Sequence, residues 1–155
     1  MKKPKYVAIL ADEDHLPITN FNQLRSWRTD MGFFIRQPDG TLKKCGYGRL
    51  EVENRREKWA HTESMGLRRG MRRKGHGIHL YLAIIRIAKE IGVTRLYSSK
   101  SLNRYSGRMW ADKLSKFFTV IHMKSRHNCN CRYCRKTWKQ HYIDLRGLHA
   151  KTMPR

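Results

Sequence analysis

The chain has few acidic residues, few cysteines and no long apolar run. Its 155 residues carry 12 Asp and Glu against 34 Lys and Arg, which gives a formal net charge of +22. The best apolar run, residues 78–85, contains His79 and is far too short to span a bilayer. We therefore expect no membrane segment. Because Asp12 and Asp14 interrupt the apolar stretch near the N-terminus, we also expect no signal peptide.

The scarcity of acidic residues does not make the chain a disordered polycation. Apolar residues account for 39% of it and aromatic residues for 10%, which is enough to build a hydrophobic core. A length of 155 residues suits one such core and is short for two. Composition therefore indicates a single globular unit that carries an unusually basic surface.

The cysteines are crowded towards the C-terminal end. Three of the four lie within six residues, so disulfides among them would be strained. No export signal accompanies them, which favours reduced thiols and a cytoplasmic location. The four are Cys45, Cys129, Cys131 and Cys134.

The positive charge is concentrated in the second half of the chain. Residues 1–66 hold 12 basic and 9 acidic residues, a net of +3, whereas residues 67–155 hold 22 and 3, a net of +19. A field of that size attracts polyanions, and nucleic acid is the usual partner. The alternative is a solvated face that only aids solubility. We expect a nucleic-acid partner.

Apolar periodicity predicts an α/β layout around a mixed sheet. The turn residues Pro38, Asp39 and Gly40 predict a hairpin between two of the strands, and Gly92 ends the clearest helix. The predicted strands are 6–10, 32–36, 41–50, 59–67, 93–99 and 117–123, and the predicted helices are 18–31, 78–91 and 103–114. From residue 124 onward the pattern predicts an irregular basic tail.

A glycine-containing turn, Arg72-x-x-Gly75-x-Gly77, follows a predicted strand and opens the clearest helix. Free N–H groups at a helix start, together with the helix dipole, bind anions. Glycine lets the backbone approach a phosphate closely. The alternative is an ordinary left-handed turn with no ligand.

With these neighbours the turn resembles that of the GNAT superfamily of N-acetyltransferases. Leu67 stands where that family ends the preceding strand, and Gly92, Asn103 and Ser106 also match. The good match covers roughly residues 60–119, and a looser one reaches back to residue 32. The resemblance implies a mixed, mostly antiparallel sheet flanked by helices over residues 1–123. The basic, cysteine-containing tail, residues 124–155, would pack on the same domain.

The resemblance also implies acetyl-CoA as cofactor and transfer of an acetyl group to an amine. The pyrophosphate would rest on the backbone of the turn, and the pantetheine arm would lie where the strands at residues 65–67 and 96–98 separate. The cofactor-binding residues implied are Leu67, Arg72, Arg73, Lys74, Gly75, His76, Gly77 and Asn103.

Two side chains on the strand before the turn are candidate bases. Alternation along residues 59–67 places His61, Glu63, Met65 and Leu67 on one face. On the family reading Glu63 would remove a proton from the amine, with His61 as second choice. The alternative for Glu63 is a surface carboxylate paired with Arg.

The family's usual acid is absent. Many members have a Tyr about seven residues after the Asn, and Trp110 stands there in this chain. Tyr105 is our candidate replacement, and Tyr97 is also close in sequence. This departure leaves two alternatives to acyl transfer on the same fold. One is a DNA base-modifying enzyme resembling the phage Mom protein, and the other is a non-catalytic nucleic-acid-binding protein.

The cysteine cluster predicts a zinc site. Thiolates and an imidazole are the ligands that zinc prefers, and Cys131-x-x-Cys134 has chelating spacing. The predicted ligands are Cys129, Cys131, Cys134 and His141, with His127 as the alternative fourth ligand. The competing interpretation is three free thiols in a loop.

Basic residues surround this cluster and alternate with the aromatic residues Tyr133 and Trp138. Such interleaving suits phosphate contacts and base stacking. The predicted nucleic-acid-binding residues are Arg126, Arg132, Arg135, Lys136 and Lys139. Alternatively, the aromatic residues pack on the sheet.

Overall fold

The structure, a computed structural model, describes residues 3–25, 29–100, 102, 104–124 and 139–148. Seven strands form one sheet in this part of the chain. They are β1 (Tyr6–Ala11), β2 (Asp30–Arg36), β3 (Leu42–Asn54), β4 (Trp59–Leu67), β5 (Arg95–Tyr97), β6 (Val120–Lys124) and β7 (Lys139–Asp144). The helices are α1 (Gly77–Ile91) and α2 (Arg104–Arg108), and α2 continues through a π-helical turn, Met109–Lys113, into a 3₁₀ turn, Leu114–Lys116.

The strand order is β1-β2-β3-β4-β5-β7-β6, and every neighbouring pair is antiparallel except β4 and β5. This arrangement confirms the predicted mixed, mostly antiparallel sheet with helices. The parallel pairing of β4 with β5 comprises three residue pairs and ends at His61 opposite Tyr97. Beyond that pair the two strands separate, which leaves the C-terminal half of β4 unpaired on that side.

One face of the sheet packs against α1. The side chains of Leu10, Phe33, Leu50 and Leu96 on this face share one hydrophobic cluster with the buried residues of the helix. Those helix residues are Leu80, Tyr81, Leu82, Ala83, Ile84, Ile85, Ala88 and Ile91. We call this side of the sheet the core face and the other side the open face, because Tyr47, which lies there, is 45% exposed.

The helix predicted over residues 18–31 is wrong. Among the described residues of this segment only a 3₁₀ turn, Phe21–Gln23, is helical, and β2 begins at Asp30. Phe21 and Leu24 are buried as expected. Leu24 itself has an extended backbone, and the described residues next to it bond β3: Val52 N donates to Arg25 O at 3.2 Å, and Leu50 N donates to Thr29 O at 3.3 Å.

The expectation of an irregular tail is wrong for residues 139–144, which form β7. This strand pairs with β5 on one side and β6 on the other. Its sequence, Lys-Gln-His-Tyr-Ile-Asp, is mostly polar, so no apolar alternation announced it. Burial of Ile143, which is 2% exposed, fixes its register on the core face.

The prediction that four alternating side chains of β4 share one face is also wrong. A β-bulge at Ser64, whose φ is 51°, inserts one extra residue opposite β3. The odd-numbered side chains before the bulge therefore lie on the opposite face of the sheet from the odd-numbered side chains after it. His61 and Glu63 are on the open face, whereas Met65 and Leu67 pack against the hydrophobic core.

Candidate functional site

The turn between β4 and α1 contains two residues in the left-handed region of backbone conformation. A 3₁₀ turn, Arg69–Met71, follows β4, and then Arg73 and Gly75 take left-handed φ values of 60° and 80°. A Cβ atom added to Gly75 would meet nothing within 4 Å, so the space above this backbone is open. The Cβ of an alanine at 77 would meet only the methyl group of Met109, at 3.4 Å.

The amides of this turn are unengaged within the described part of the chain. None of the backbone N–H groups from Arg73 to Ile78 donates a hydrogen bond there, and the helical pattern starts with Leu80 N donating to His76 O at 3.1 Å. No side chain caps the helix start. Free amides, a helix N-terminus and open space beside basic side chains fit the pyrophosphate of acetyl-CoA.

Two of the predicted cofactor residues also have contacts inside the protein. Arg72 Nε donates to Leu67 O at 3.1 Å, so this side chain ties the turn to the end of β4. His76 Nδ1 lies 3.0 Å from the hydroxyl of Tyr6, whose ring stacks on His79 at 4.2 Å. Burial is the main cause that lowers the pKa of His79, and the positive charges of His76 and Lys5 lower it further.

Glu63 lies where β4 and β5 begin to separate. It is two residues past His61, and Ser99 is two residues past Tyr97, so the two side chains face each other across the opening. Ser99 Oγ donates to Glu63 Oε2 at 3.2 Å. The carboxylate is therefore held at the apex of the gap where the resemblance places the pantetheine arm.

His61 is surrounded by three glutamates on the open face. Its Nδ1 lies 2.9 Å from Oε2 of Glu53. Its Nε2 lies 3.3 Å from Oε2 of Glu51 and 3.6 Å from Oε1 of Glu63. The His61 side chain is only 14% exposed. A protein with 12 acidic residues thus places three of them around one imidazole.

These carboxylates decide the charge of the ring. Burial acts against the protonated form of His61, but contact with Glu53 and the charges of Glu63 and Glu51 outweigh it, so the pKa of His61 is raised above its ordinary value. In turn, contact with His61 lowers the pKa of Glu53. His61 and Glu53 therefore stabilise each other as an ion pair.

Sequence reasoning found His61 and Glu63 but missed Glu51 and Glu53. The available signal was that Glu51 and Glu53 are two residues apart on the neighbouring strand and so share a face, as His61 and Glu63 do on β4. Which residues of β3 lie opposite His61 depends on the register, and the β3–β4 register contains two bulges.

Two further cations line the cluster. Lys100 Nζ lies 3.7 Å from Glu53 Oε1, and its side chain is 58% exposed. Arg49 Nη1 lies 3.5 Å from Glu51 Oε1, and its Nη2 donates to Ser64 Oγ at 3.3 Å. Arg49 and Ser64 also line a groove of about 460 Å³ on the open face, together with Phe34 and other residues of β1 to β3.

The structure does not bring the candidate acid Tyr105 to this site. Its side chain, on α2, is 77% exposed, and within the described residues it makes no hydrogen bond to Glu63 or His61. Trp110 is fully buried and packs its ring parallel to His141 at 6.4 Å, so it belongs to the core. Tyr97 lies beside His61 in register and accepts a hydrogen bond from Arg95 Nη1 at 3.4 Å.

Several predicted residues lie outside the described part of the chain. These are Asn103, the predicted ligands Cys129, Cys131, Cys134 and His127, and the basic residues Arg126, Arg132, Arg135 and Lys136. Of Lys139 the structure describes the backbone, in β7. His141 is described and is 3% exposed. The described residues contain no group of three or more His, Cys, Asp or Glu that could hold a metal ion.

A mixed sheet in which two parallel strands separate beside a glycine-containing turn and a helix is the architecture of the α/β acyltransferases. The sequence profile of the acetyltransferase (GNAT) family matches residues 6–114, and the chain belongs to that family. It is therefore an acetyltransferase that acts on amines, and the typical acetyl donor of its family is acetyl-CoA. No curated protein sequence matches the chain.

Solved structures share the fold at low identity. The spermidine/spermine N-acetyltransferase from Vibrio cholerae, solved with manganese ions, has a TM-score of 0.55 at 12% identity over 91% of this chain and 93% of its own. The spermidine N-acetyltransferase from the same organism, in complex with CoA and spermine, has a TM-score of 0.51 at 15% identity over 75% and 66%. A cAMP-binding acyltransferase from Mycobacterium smegmatis has a TM-score of 0.51 at 13% identity over 81% and 33%.

None of these three is named as a DNA-modifying protein. At such identities the likeness concerns the fold alone. No helix in the described part of the chain is long and apolar enough to cross a membrane.

Proposed function

We propose that the chain acetylates a small polycationic amine from acetyl-CoA, with Glu63 as the general base. The observation that carries the proposal is the gathering of Glu51, Glu53 and Glu63 around His61 at the apex of the β4–β5 gap. Carboxylates there attract a cationic acceptor into a protein whose net charge is +22 and which otherwise repels it. The polyamine acetyltransferases among the structural neighbours support this class of acceptor by their names.

Lys100 suggests where a second ammonium group of the acceptor binds. Its Nζ lies 3.7 Å from Glu53 Oε1 on a side chain that is 58% exposed, so an incoming ammonium can replace it at little cost. The open-face groove begins at Ser64, next to Glu63, and offers room for the rest of the acceptor.

The chemistry required of the residues is proton removal and anion binding. An aliphatic ammonium has a pKa near 10.4 and must lose a proton before its nitrogen can attack. Glu63 takes that proton, and its carboxylate is positioned by the hydrogen bond from Ser99 and by the neighbouring His61, whose Nε2 lies 3.6 Å from Oε1. The free amides from Arg73 to Ile78 bind the pyrophosphate. When bound, acetyl-CoA supplies the thioester that the amine attacks.

The acceptor class is tested by following the release of CoA thiol with acetyl-CoA and either spermidine or butylamine. We expect spermidine to react with a lower KM, because only it places a second ammonium at Glu53. Glu63→Gln should lower kcat by about 10²–10⁴-fold, the usual contribution of a positioned base. The matched control Glu57→Gln, in an exposed turn, should change nothing. Equal KM values for the two amines would contradict the proposed acceptor.

The cofactor site is tested with two glycines of the same backbone conformation. Gly75 and Gly40 have φ values of 80° and 86°, and a Cβ at either position meets nothing within 4 Å. Gly75→Glu and Gly40→Glu should therefore lose similar stability from strain. Only the first should also lose the rise in melting temperature with acetyl-CoA, because ligand binding to the folded state raises it. A retained rise in Gly75→Glu would place the cofactor elsewhere.

A second candidate function rests on the net charge of +19 over residues 67–155. We propose that this half of the chain brings the enzyme to nucleic acid, through Arg126, Arg132, Arg135, Lys136 and Lys139. DNA binding measured by fluorescence anisotropy should weaken steeply between 50 and 200 mM salt, by about 10³-fold or more if six phosphates are contacted. Affinity that does not depend on salt would exclude this role. The Mom-like base modification and a purely non-catalytic binding role have no observation in their favour.

The zinc site predicted at Cys129, Cys131, Cys134 and His141 stays a prediction. Of its ligands only His141 lies among the described residues, and that residue has a second histidine beside it.

A further inference from the structure

Two histidines meet on the paired strands β6 and β7. His122 and His141 lie directly opposite each other in the antiparallel register. Their Nδ1 atoms are 2.6 Å apart, and the two rings are perpendicular with centroids 4.8 Å apart. Neither residue belongs to the site around Glu63. His61, Tyr97 and Tyr142 lie side by side on the open face of the sheet. His141 is next to Tyr142 in β7, so its side chain is on the opposite face.

His141 is held rigidly. It is 3% exposed, and its ring is parallel to that of Trp110 at 6.4 Å. Its backbone N–H donates to Ser98 Oγ at 2.9 Å, and its carbonyl accepts from Ser98 N at 2.7 Å. His122, in contrast, is exposed on the outermost strand of the sheet, so its ring can adjust and a solute can reach the pair.

The contact brings two imidazole nitrogens to one point. A hydrogen bond between them requires that one Nδ1 present a bare lone pair to the other, because a neutral imidazole has one N–H and one acceptor nitrogen. Two converging imidazole nitrogens are also what a borderline divalent cation binds. With Zn–N bonds of about 2.0–2.1 Å in tetrahedral geometry, the nitrogens would stand about 3.4 Å apart. A movement of less than about 1 Å by the exposed ring achieves that separation.

We propose that His122 and His141 are two ligands of a zinc site on the β6–β7 pair. The site is independent of acetyl transfer. It differs from the sequence prediction by including His122, which no ligand spacing had singled out. Bound zinc would cross-link the edge strand to its neighbour and so stabilise this end of the sheet. The sequence between the two strands contains Cys129, Cys131 and Cys134, and the variant Cys131→Ser tests whether a thiol binds the same zinc.

The experiment measures zinc binding to the full chain after removal of metal with a chelator. We expect one Zn²⁺ per chain in a competition titration against a chromogenic chelator. His122→Gln should weaken binding by about tenfold or more, since even the loss of an outer-shell partner costs 10–100-fold. His122 is exposed, so this variant should fold, and circular dichroism checks that it does. His15→Gln, which alters an exposed histidine in the turn after β1, is the matched control and should bind zinc as the parent does.

Two results would overturn the proposal. One is the absence of stoichiometric zinc binding by the parent chain. The other is an affinity that is unchanged in His122→Gln but lost in Cys131→Ser, since zinc would then be held by thiols without this histidine pair. Loss of affinity in both variants supports a mixed site that includes His122.

Discussion

Replacing Glu53 by Gln should lower the pKa of His61, because this carboxylate is the nearest charge to the imidazole. The Nδ1–Oε2 distance is 2.9 Å, and the side chains are 14% and 21% exposed, so solvent screens the pair only in part. An opposite charge within about 4–6 Å favours the charged form of a titratable group, and one pKa unit corresponds to about 1.36 kcal/mol. The pKa of His61 should therefore fall in Glu53→Gln, and each unit of that fall measures about 1.36 kcal/mol of the interaction between the imidazolium and this carboxylate.

The assay is a pH titration of the histidine ring resonances by NMR, with the His61 signals assigned from the spectrum of His61→Gln. Glu57→Gln, in an exposed turn, is the matched control and should leave the His61 titration unchanged. A parent pKa at or below the ordinary 6.5, or no fall in Glu53→Gln, would refute the account of the cluster.

The same ion pair sets a pH window for stability. Because the pKa of His61 is raised in the folded protein, this residue stabilises the fold below pH 6.5, and its contribution is lost as the pH rises through the folded pKa. Because the pKa of Glu53 is lowered in the folded protein, this residue stabilises the fold above pH 4.5, and its contribution is lost as the pH falls through the folded pKa. The contribution is thus fully present between pH 4.5 and 6.5, and urea titrations should show the parent's advantage over Glu53→Gln there.

Further outcomes are expected at four other positions. Gly46→Ala should cost about 1–3 kcal/mol in urea unfolding, because a Cβ there would lie 2.8 Å from the backbone oxygen of Gly66. Gly107→Ala, with nothing within 4 Å of the added Cβ, should gain up to about 1 kcal/mol. Cys45 is fully buried and burial raises the pKa of its thiol, so peptide mapping after alkylation should find it protected until the protein unfolds. Lys100→Met should lower the KM for spermidine in the CoA-release assay, since the competing ammonium at Glu53 is removed; an unchanged KM would contradict the proposed acceptor position.

Sequence patterns predicted the strands and helices in which apolar residues recur regularly along the buried side. The bounds predicted for β4 coincide with those observed, and α1 begins one residue before its prediction, because apolar residues line its buried side and Gly92 ends it. In the segment after β1, the spacing of Phe21 and Leu24 fits a helix equally well. Arg25 and Thr29 instead bond the distant β3 through their backbones, and no local signal reveals these bonds.

Only the part of the candidate site that lies on a single strand, β4, could be predicted from the sequence. His61 and Glu63 stand on a single recognisable strand, next to the glycine-containing turn. Glu51 and Glu53 join them through a pairing that contains two bulges, and a shift of one residue would have turned them towards the core. The bulge at Ser64 separates the open-face residues of β4 from its buried end. Its positive φ could not be predicted from the sequence, because serine does not favour that backbone conformation as glycine does.

The insertion of β7 between β5 and β6 has a consequence for synthesis. During translation β5 and β6 emerge before the strand that joins them, so the sheet cannot close until residue 144 has left the ribosome. A nascent chain that ends at residue 124 exposes the free edge of β5 and leaves β6 with no partner in the sheet order. Acetyl transfer should therefore begin only after β7 is in place between β5 and β6.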